Sequence, residues 1–266
     1  MSNFTQWFTG TDTDSALPFP DGIGVLAEHF YLGRLGGETT ANSYGFDIKA
    51  AKAATKTFGY WDLAGAQYPG AHSDAATWGR EQAHAATAAA EVAQFVTGQT
   101  IFLDIEPSNG GWTAAPTVDN VQVLEGALAA VVSAGWTPGI YVSADIWAAL
   151  FGVDYRLKTP FVLWVAGNAN QSLAEAIGFW DRLPTLGGQR PMIWQYNSSG
   201  STASPTQDRN LTPYAGWLTG RWKPTPVRVA TPPRTPAEQA LALLNAAAAD
   251  IQQAATVLEQ AVRSQP

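Results

Sequence analysis

The sequence predicts an α/β fold built from repeated strand–helix units, either a (β/α) barrel of the TIM type or a doubly wound sheet. Three observations carry this. Short apolar runs recur between residues 29 and 222, helical stretches separate them, and 266 residues suit one large domain with an appendage.

The candidate first strand is FTQWF (4–8), made irregular by the TGTDTDS that follows it. The next strands are HFYLGRL (29–35), TFGYWDL (57–63), TIFLDIE (100–106), GIYVS (139–143), FVLWVA (161–166) and MIWQY (192–196). Most are short, apolar on both faces and closed by Gly, Pro or a polar residue, as in a parallel sheet covered on both sides. Helical stretches are IKAAKAAT (48–55), WGREQAHAATAAAEVAQFV (78–96) and VDNVQVLEGALAAVVSAG (118–135). The last places Val121, Leu124, Leu128, Val131 and Val132 on one face and Gly135 at the C-terminal cap.

Composition changes after Trp222. Residues 1–222 read as the barrel domain and 223–235 as a linker stiffened by Pro224, Pro226, Pro232 and Pro233. Residues 236–264 read as an amphipathic helix opened by a Thr235/Glu238 capping box. Within it Leu241, Leu244, Ala248, Ile251, Ala255, Leu258 and Val262 form an a/d stripe. That stripe fits either a helix folded on its own barrel or self-association.

Several functions are disfavoured. A net charge of -7 opposes nucleic-acid binding, which depends on Lys and Arg neutralising phosphates. The absence of cysteine removes disulfides and thiolate chemistry. His29, His72 and His84 lack metal-ligand spacing, so neither a metal nor a cofactor is expected. No apolar run is long enough for a membrane span, and the N-terminus shows no secretory signal pattern. That leaves either a cytoplasmic protein or a non-classical, phage or specialised export route. Eleven tryptophans in a chain so poor in charge suit stacking on sugar rings.

The site reading rests on Asp104 and Glu106, two residues apart at the end of the most apolar strand. Strand alternation points both side chains the same way, their Cα atoms ~6.5 Å apart. Alone, D-x-E is an ordinary solvated strand end; at the C-terminal end of a barrel strand it lies where such folds keep their chemistry. Paired carboxylates can run glycoside hydrolysis, one protonating the leaving oxygen while the other stabilises the cationic transition state or activates water. Asp62 ends its strand in the same way and shares a face with Tyr60, and Asp208 follows the IWQYNSSG strand and its polar loop.

Taken in order, FLDIE, GIYVS, LWVA and IWQYNSSG…DRN resemble glycoside hydrolase family 25, barrel muramidases that cut the β-1,4 bond of peptidoglycan. With FYLGRLGG, GYWDL and D-x-E-P, residues 29–215 resemble still more the bacterial glycoside-hydrolase-like barrel domains, whose activity is uncertain. The resemblance implies a TIM-like barrel with Glu106 as general acid, Asp104 as its partner carboxylate and Asp208 as the late acid. It implies a saccharide cleft lined by Tyr141, Trp164, Trp194, Gln195 and Tyr196, with Tyr60 and Asp62 beside them. The muramidases also carry an acid on the first strand, for which Asp12 or Asp14 is the candidate. The implied partner is peptidoglycan or another glycan, either hydrolysed or bound by a barrel that has lost catalysis.

Overall fold

The computed structural model describes residues 7–13, 30–38, 40–41, 56–95, 99–167, 172–197 and 208–214, all within one compact unit, Met1–Val227. Its strands are β1 (Phe8–Thr13), β2 (Phe30–Gly37), β3 (Thr40–Ala41), β4 (Lys56–Asp62), β5 (Thr100–Asp104), β6 (Thr137–Ser143), β7 (Val162–Ala166), β8 (Pro191–Asn197) and β9 (Asp208–Thr212). The described helices are α1 (Ala75–Val92), α2 (Val118–Ser133), α3 (Ala144–Phe151) and α4 (Leu173–Phe179).

Pairing runs β1-β9-β8-β7-β6-β5-β4-β2, and β1 pairs with β2 to close an eight-stranded α/β barrel. The short β3 adds a hairpin to the end of β2. Closure is parallel except at β9, which runs antiparallel to both β8 and β1. That exception matters for the site. The first residue of an antiparallel strand lies at the mouth where the parallel strands end, so Asp208 arrives beside their C-terminal residues.

Alternating side chains divide the core into two layers. Phe8, Phe30, Leu32, Phe58, Phe102, Val162, Trp164 and Ile193 fill the barrel interior. Leu103, Ile105, Ile140, Val142, Leu163 and Val165 point outward and pack with Trp78, Ala83 and Ala86 of α1 and Leu124, Ala127, Leu128 and Val131 of α2. Gly79 and Gly126 let those two helices touch. A Cβ on Gly79 would lie 2.0 Å from the Val123 carbonyl oxygen, and one on Gly126 would lie 2.3 Å from that of Ala76.

Each helix begins on a side-chain cap. Asp74 accepts from the Thr77 amide, Thr117 from Asn120 and Ser143 from Ile146, while Ser172 and Glu175 form a reciprocal capping box. Gly135 adopts φ 83° just past α2, as its position predicts.

Three expectations need correction. The first strand is FTGTDT rather than FTQWF, because pairing with both β2 and β9 requires the segment carrying Asp12. The fifth strand ends at Asp104, although Glu106 keeps extended dihedrals (φ -134°, ψ 148°) before a single 3₁₀ turn, Pro107–Asn109. DRNLT is a strand additional to those expected, and α3 and α4 are helices additional to those expected. The expected helix at 48–55, the linker at 223–235 and the helix at 236–264 lie outside the described residues, as does Asp14.

Candidate active site

Strand register assembles the site. Asp62 and Asp104 are partners across β4 and β5, Asp104 and Tyr141 across β5 and β6, and Tyr141 and Trp164 across β6 and β7. Gln195 faces Asn210 across β8 and β9, and Asp12 faces Asp208 across β1 and β9. Acids from four strands thus meet at one mouth, with Glu106 just beyond the end of β5.

Polar side chains tie this ring together. Tyr141 donates its hydroxyl hydrogen to Gln195 Oε1 at 2.7 Å. Gln195 Nε2 donates to Asp208 Oδ2 at 2.9 Å and to Asp12 Oδ2 at 3.2 Å. Asn210 Nδ2 donates to Asp12, and Asn210 Oδ1 accepts from Trp164 Nε1 at 2.8 Å. One amide, Gln195, therefore spans a tyrosine and two acids, and its orientation is fixed by what each partner can offer.

Burial and mutual repulsion govern protonation. Burial raises the Asp104 pKa well above the ordinary aspartate value, and the charges of Glu106, Asp62 and Asp12 add to it, opposed by Asn109. Asp104 is 8% exposed, and its Oδ1 has no hydrogen-bond partner among the described residues. Burial also raises Asp12, followed by the charge of Asp208, against hydrogen bonds from Asn210 and Gln195. A direct bond between the Asp12 and Asp208 carboxyls works in the same upward sense. Tyr141 is raised first by burial, then by Asp104, Asp12, Glu106 and Asp208, whose fields converge on its ring.

The loop after β5 is locked. Asn109 Nδ2 donates to the Asp104 carbonyl at 2.8 Å, and Ser108 Oγ donates to Glu106 Oε2 at 3.1 Å. The amides of Gly65 and Gln67 donate to the carbonyls of Gly110 and Gly111 at 2.9 and 2.8 Å. Gly111 has φ 74°, and a Cβ there would lie 2.3 Å from the Tyr68 nitrogen. The NGG turn thus clamps the Glu106 loop against the loop that follows β4.

Not every expected residue reaches this mouth. Asp62, Tyr60, Asp104, Tyr141, Trp164 and Gln195 lie on the inward face, Glu106 lies at the rim, and Asp208 joins through β9. Trp194 and Tyr196, expected in the cleft, sit in the outer layer, where Trp194 packs on Phe179 and Tyr196. The alternation that turns Gln195 inward turns both of them out. Trp164 faces inward but is only 1% exposed beneath Tyr141, so it forms floor and not a stacking platform.

Two residues escaped the sequence reading. Asn210 stood in the DRN motif beside Asp208 but was assigned no role. Arg34 reaches the mouth from β2 and forms an ion pair with Asp62; its one signal is a cation within the otherwise apolar FYLGRLGG. Among the described residues no group of three or more His, Cys, Asp or Glu is arranged to hold a metal ion, and no helix is long and apolar enough to cross a membrane.

The model of the family described as Rv2525c-like, glycoside hydrolase-like domain matches residues 53–223. The chain belongs to that family. The matched part of this glycoside hydrolase-like domain carries Asp62, Asp104, Glu106 and Asp208, while Asp12 and Arg34 precede it. Among solved structures it is similar to an uncharacterized B. stearothermophilus protein (TM-score 0.55, 16% identity), covering 80% of this chain and 99% of that one. It is also similar to a muramidase from Acremonium alcalophilum (TM-score 0.52, 19% identity), covering 80% and 99% of the two chains. A bacterial lysozyme from Streptomyces coelicolor matches with TM-score 0.51 and 16% identity over 82% and 97%. At these identities the likeness establishes the fold. A search of the curated proteins finds no match.

Proposed function

We propose that the protein hydrolyses glycosidic bonds of a bacterial cell-wall or related polysaccharide, with Glu106 as general acid and Asp104 as its partner. The observation that carries this reading is the Asp104–Glu106 pair at the end of β5, one carboxyl buried and lifted in pKa, the other at the rim. The similarity to a muramidase and a lysozyme supports the choice of substrate class.

The chemistry follows from where protons can stay. Asp104 holds a proton at pH values where an ordinary aspartate has lost it. That proton can pass to Glu106, the member of the pair that a sugar oxygen can approach. As the bond from the anomeric carbon to the leaving oxygen breaks, its electron pair goes to that oxygen and Glu106 supplies the proton. Both carboxyls are then ionised beside the oxocarbenium-like carbon, which they stabilise. Water adds to that carbon and returns a proton to the pair. Asp208, held by Gln195 and Asp12, supplies a fixed acceptor for sugar hydroxyls in the same mouth.

The test is release of reducing sugar from purified peptidoglycan and a panel of glucans by wild type and Glu106→Gln. Loss of release by about 100-fold or more in the variant, with binding retained, supports the hydrolase. Glycan binding without release by either protein would replace it with a non-catalytic binding barrel.

A further inference from the structure

Asp62 and Asp104 occupy facing positions on adjacent strands with both side chains inward. Like charges directly opposed on one face destabilise a sheet. What relieves them comes from β2. A bulge between Arg34 and Gly36 shifts that strand by one residue, so that Arg34 faces Tyr60 and Gly37 faces Asp62. Gly37 leaves room for this arrangement, since a Cβ there would lie 2.9 Å from the Asp62 Cβ. Arg34 pairs with Asp62 Oδ2 while both side chains are partly buried, 34% and 18% exposed, where the contact is less screened than on open surface.

We propose that Arg34 is a positioning residue that offsets the charge Asp62 would place beside Asp104, and so sets the pH range over which Asp104 keeps its proton. The proposal rests on the hydrolase reading for its consequence in turnover, though its electrostatic content stands without it. The other groups around Asp104 cannot supply that offset. Glu106 follows on its own strand end, Tyr141 faces it from β6, and Asp12 acts from β1 with Asp208 beyond on β9. At the end of β2, Glu38 donates its amide to the Asp62 carbonyl and accepts from the Tyr68 hydroxyl. These groups are acids or phenols. Among the described residues, Arg34 is a cation that pairs with an acid of this ring.

The experiment is a carboxyl carbon-13 NMR titration of Asp104 in the full chain, run on wild type, Arg34→Gln, Arg34→Lys, Asp62→Asn and the Arg34→Gln/Asp62→Asn double variant. Arg34→Gln should move the Asp104 midpoint up by about half a pH unit or more, and Asp62→Asn should move it down. Arg34→Lys should stay near wild type, and the double variant should cancel the Arg34→Gln rise. If Arg34→Gln alone does not fold, the downward move in Asp62→Asn and the near-wild-type midpoint in Arg34→Lys still decide. A midpoint unmoved by Arg34→Gln or Asp62→Asn, or a rise that persists in the double variant, overturns the proposal. The pH–rate profile for sugar release should follow the same order of midpoints. A wild type that releases no sugar would defeat the hydrolase reading while leaving the titration result intact.

Discussion

Asp62 and Asp104 stand opposite one another on β4 and β5, inside the barrel and at its mouth, with Asp104 the more deeply buried. A parallel ladder brings such partners to about 4.8 Å between Cα atoms. Two ionised carboxyls at that spacing, one of them cut off from water, oppose folding. Several consequences can be measured.

Asp104→Asn should stabilise the protein at neutral pH. In the unfolded chain Asp104 loses its proton at about pH 3.9, whereas in the barrel it keeps the proton to higher pH. Between those values the folded state binds more protons than the unfolded one, so stability falls as pH rises through the window. The neutral amide removes that loss. Thermal unfolding should show Tm about 2–6 °C above wild type near neutral pH, shrinking to nothing toward about pH 4. Equal gains at both pH values would contradict the burial account.

Gln195→Leu should be costly. It removes the partner of the Tyr141 hydroxyl and a donor shared by Asp12 and Asp208, stranding buried polar groups. Denaturant unfolding should show a loss of about 3 kcal/mol, against about 1 kcal/mol for Tyr141→Phe. A loss in Gln195→Leu no greater than in Tyr141→Phe would mean that the amide is not the hub.

Gly111→Ala tests the clamp on the Glu106 loop. The substitution meets both a left-handed backbone and the Tyr68 nitrogen, so denaturant unfolding should show a loss of about 1–3 kcal/mol. Any sugar release should fall with it, because Glu106 is positioned by that turn. An unchanged stability would show that the loops can part freely.

Trp194→Ala separates packing from recognition. With Trp194 under the helices, the variant should lose about 3–5 kcal/mol of stability and keep its glycan affinity under conditions where it remains folded. Loss of affinity in folded protein would return Trp194 to the cleft.

The sequence was most legible where periodicity and chemistry agreed. TIFLDIE ends an apolar run with two acids, and in the register Asp104 turns inward beside Asp62. Trp194 and Tyr196 show where that legibility stopped. A strand buried on both faces is apolar at every position, so alternation separates two faces without saying which lies inside. Gln195, the polar residue in that run, marked the inward face. Asp208 and Asn210 were half hidden because β9 is short and polar and runs antiparallel to both of its neighbours. The Arg34–Asp62 pair depends on a bulge that moves the register by one residue, and no local pattern in FYLGRLGG announces it.

The most direct test of the acid pair is a crystal structure of the Glu106→Gln variant holding a cell-wall oligosaccharide. The prediction is a glycosidic oxygen within about 3 Å of the side chain at position 106, with Asp104 beneath the anomeric carbon and Asp208 on a sugar hydroxyl. An oligosaccharide bound away from the barrel mouth, or in the mouth with its glycosidic oxygens out of reach of position 106, would contradict it.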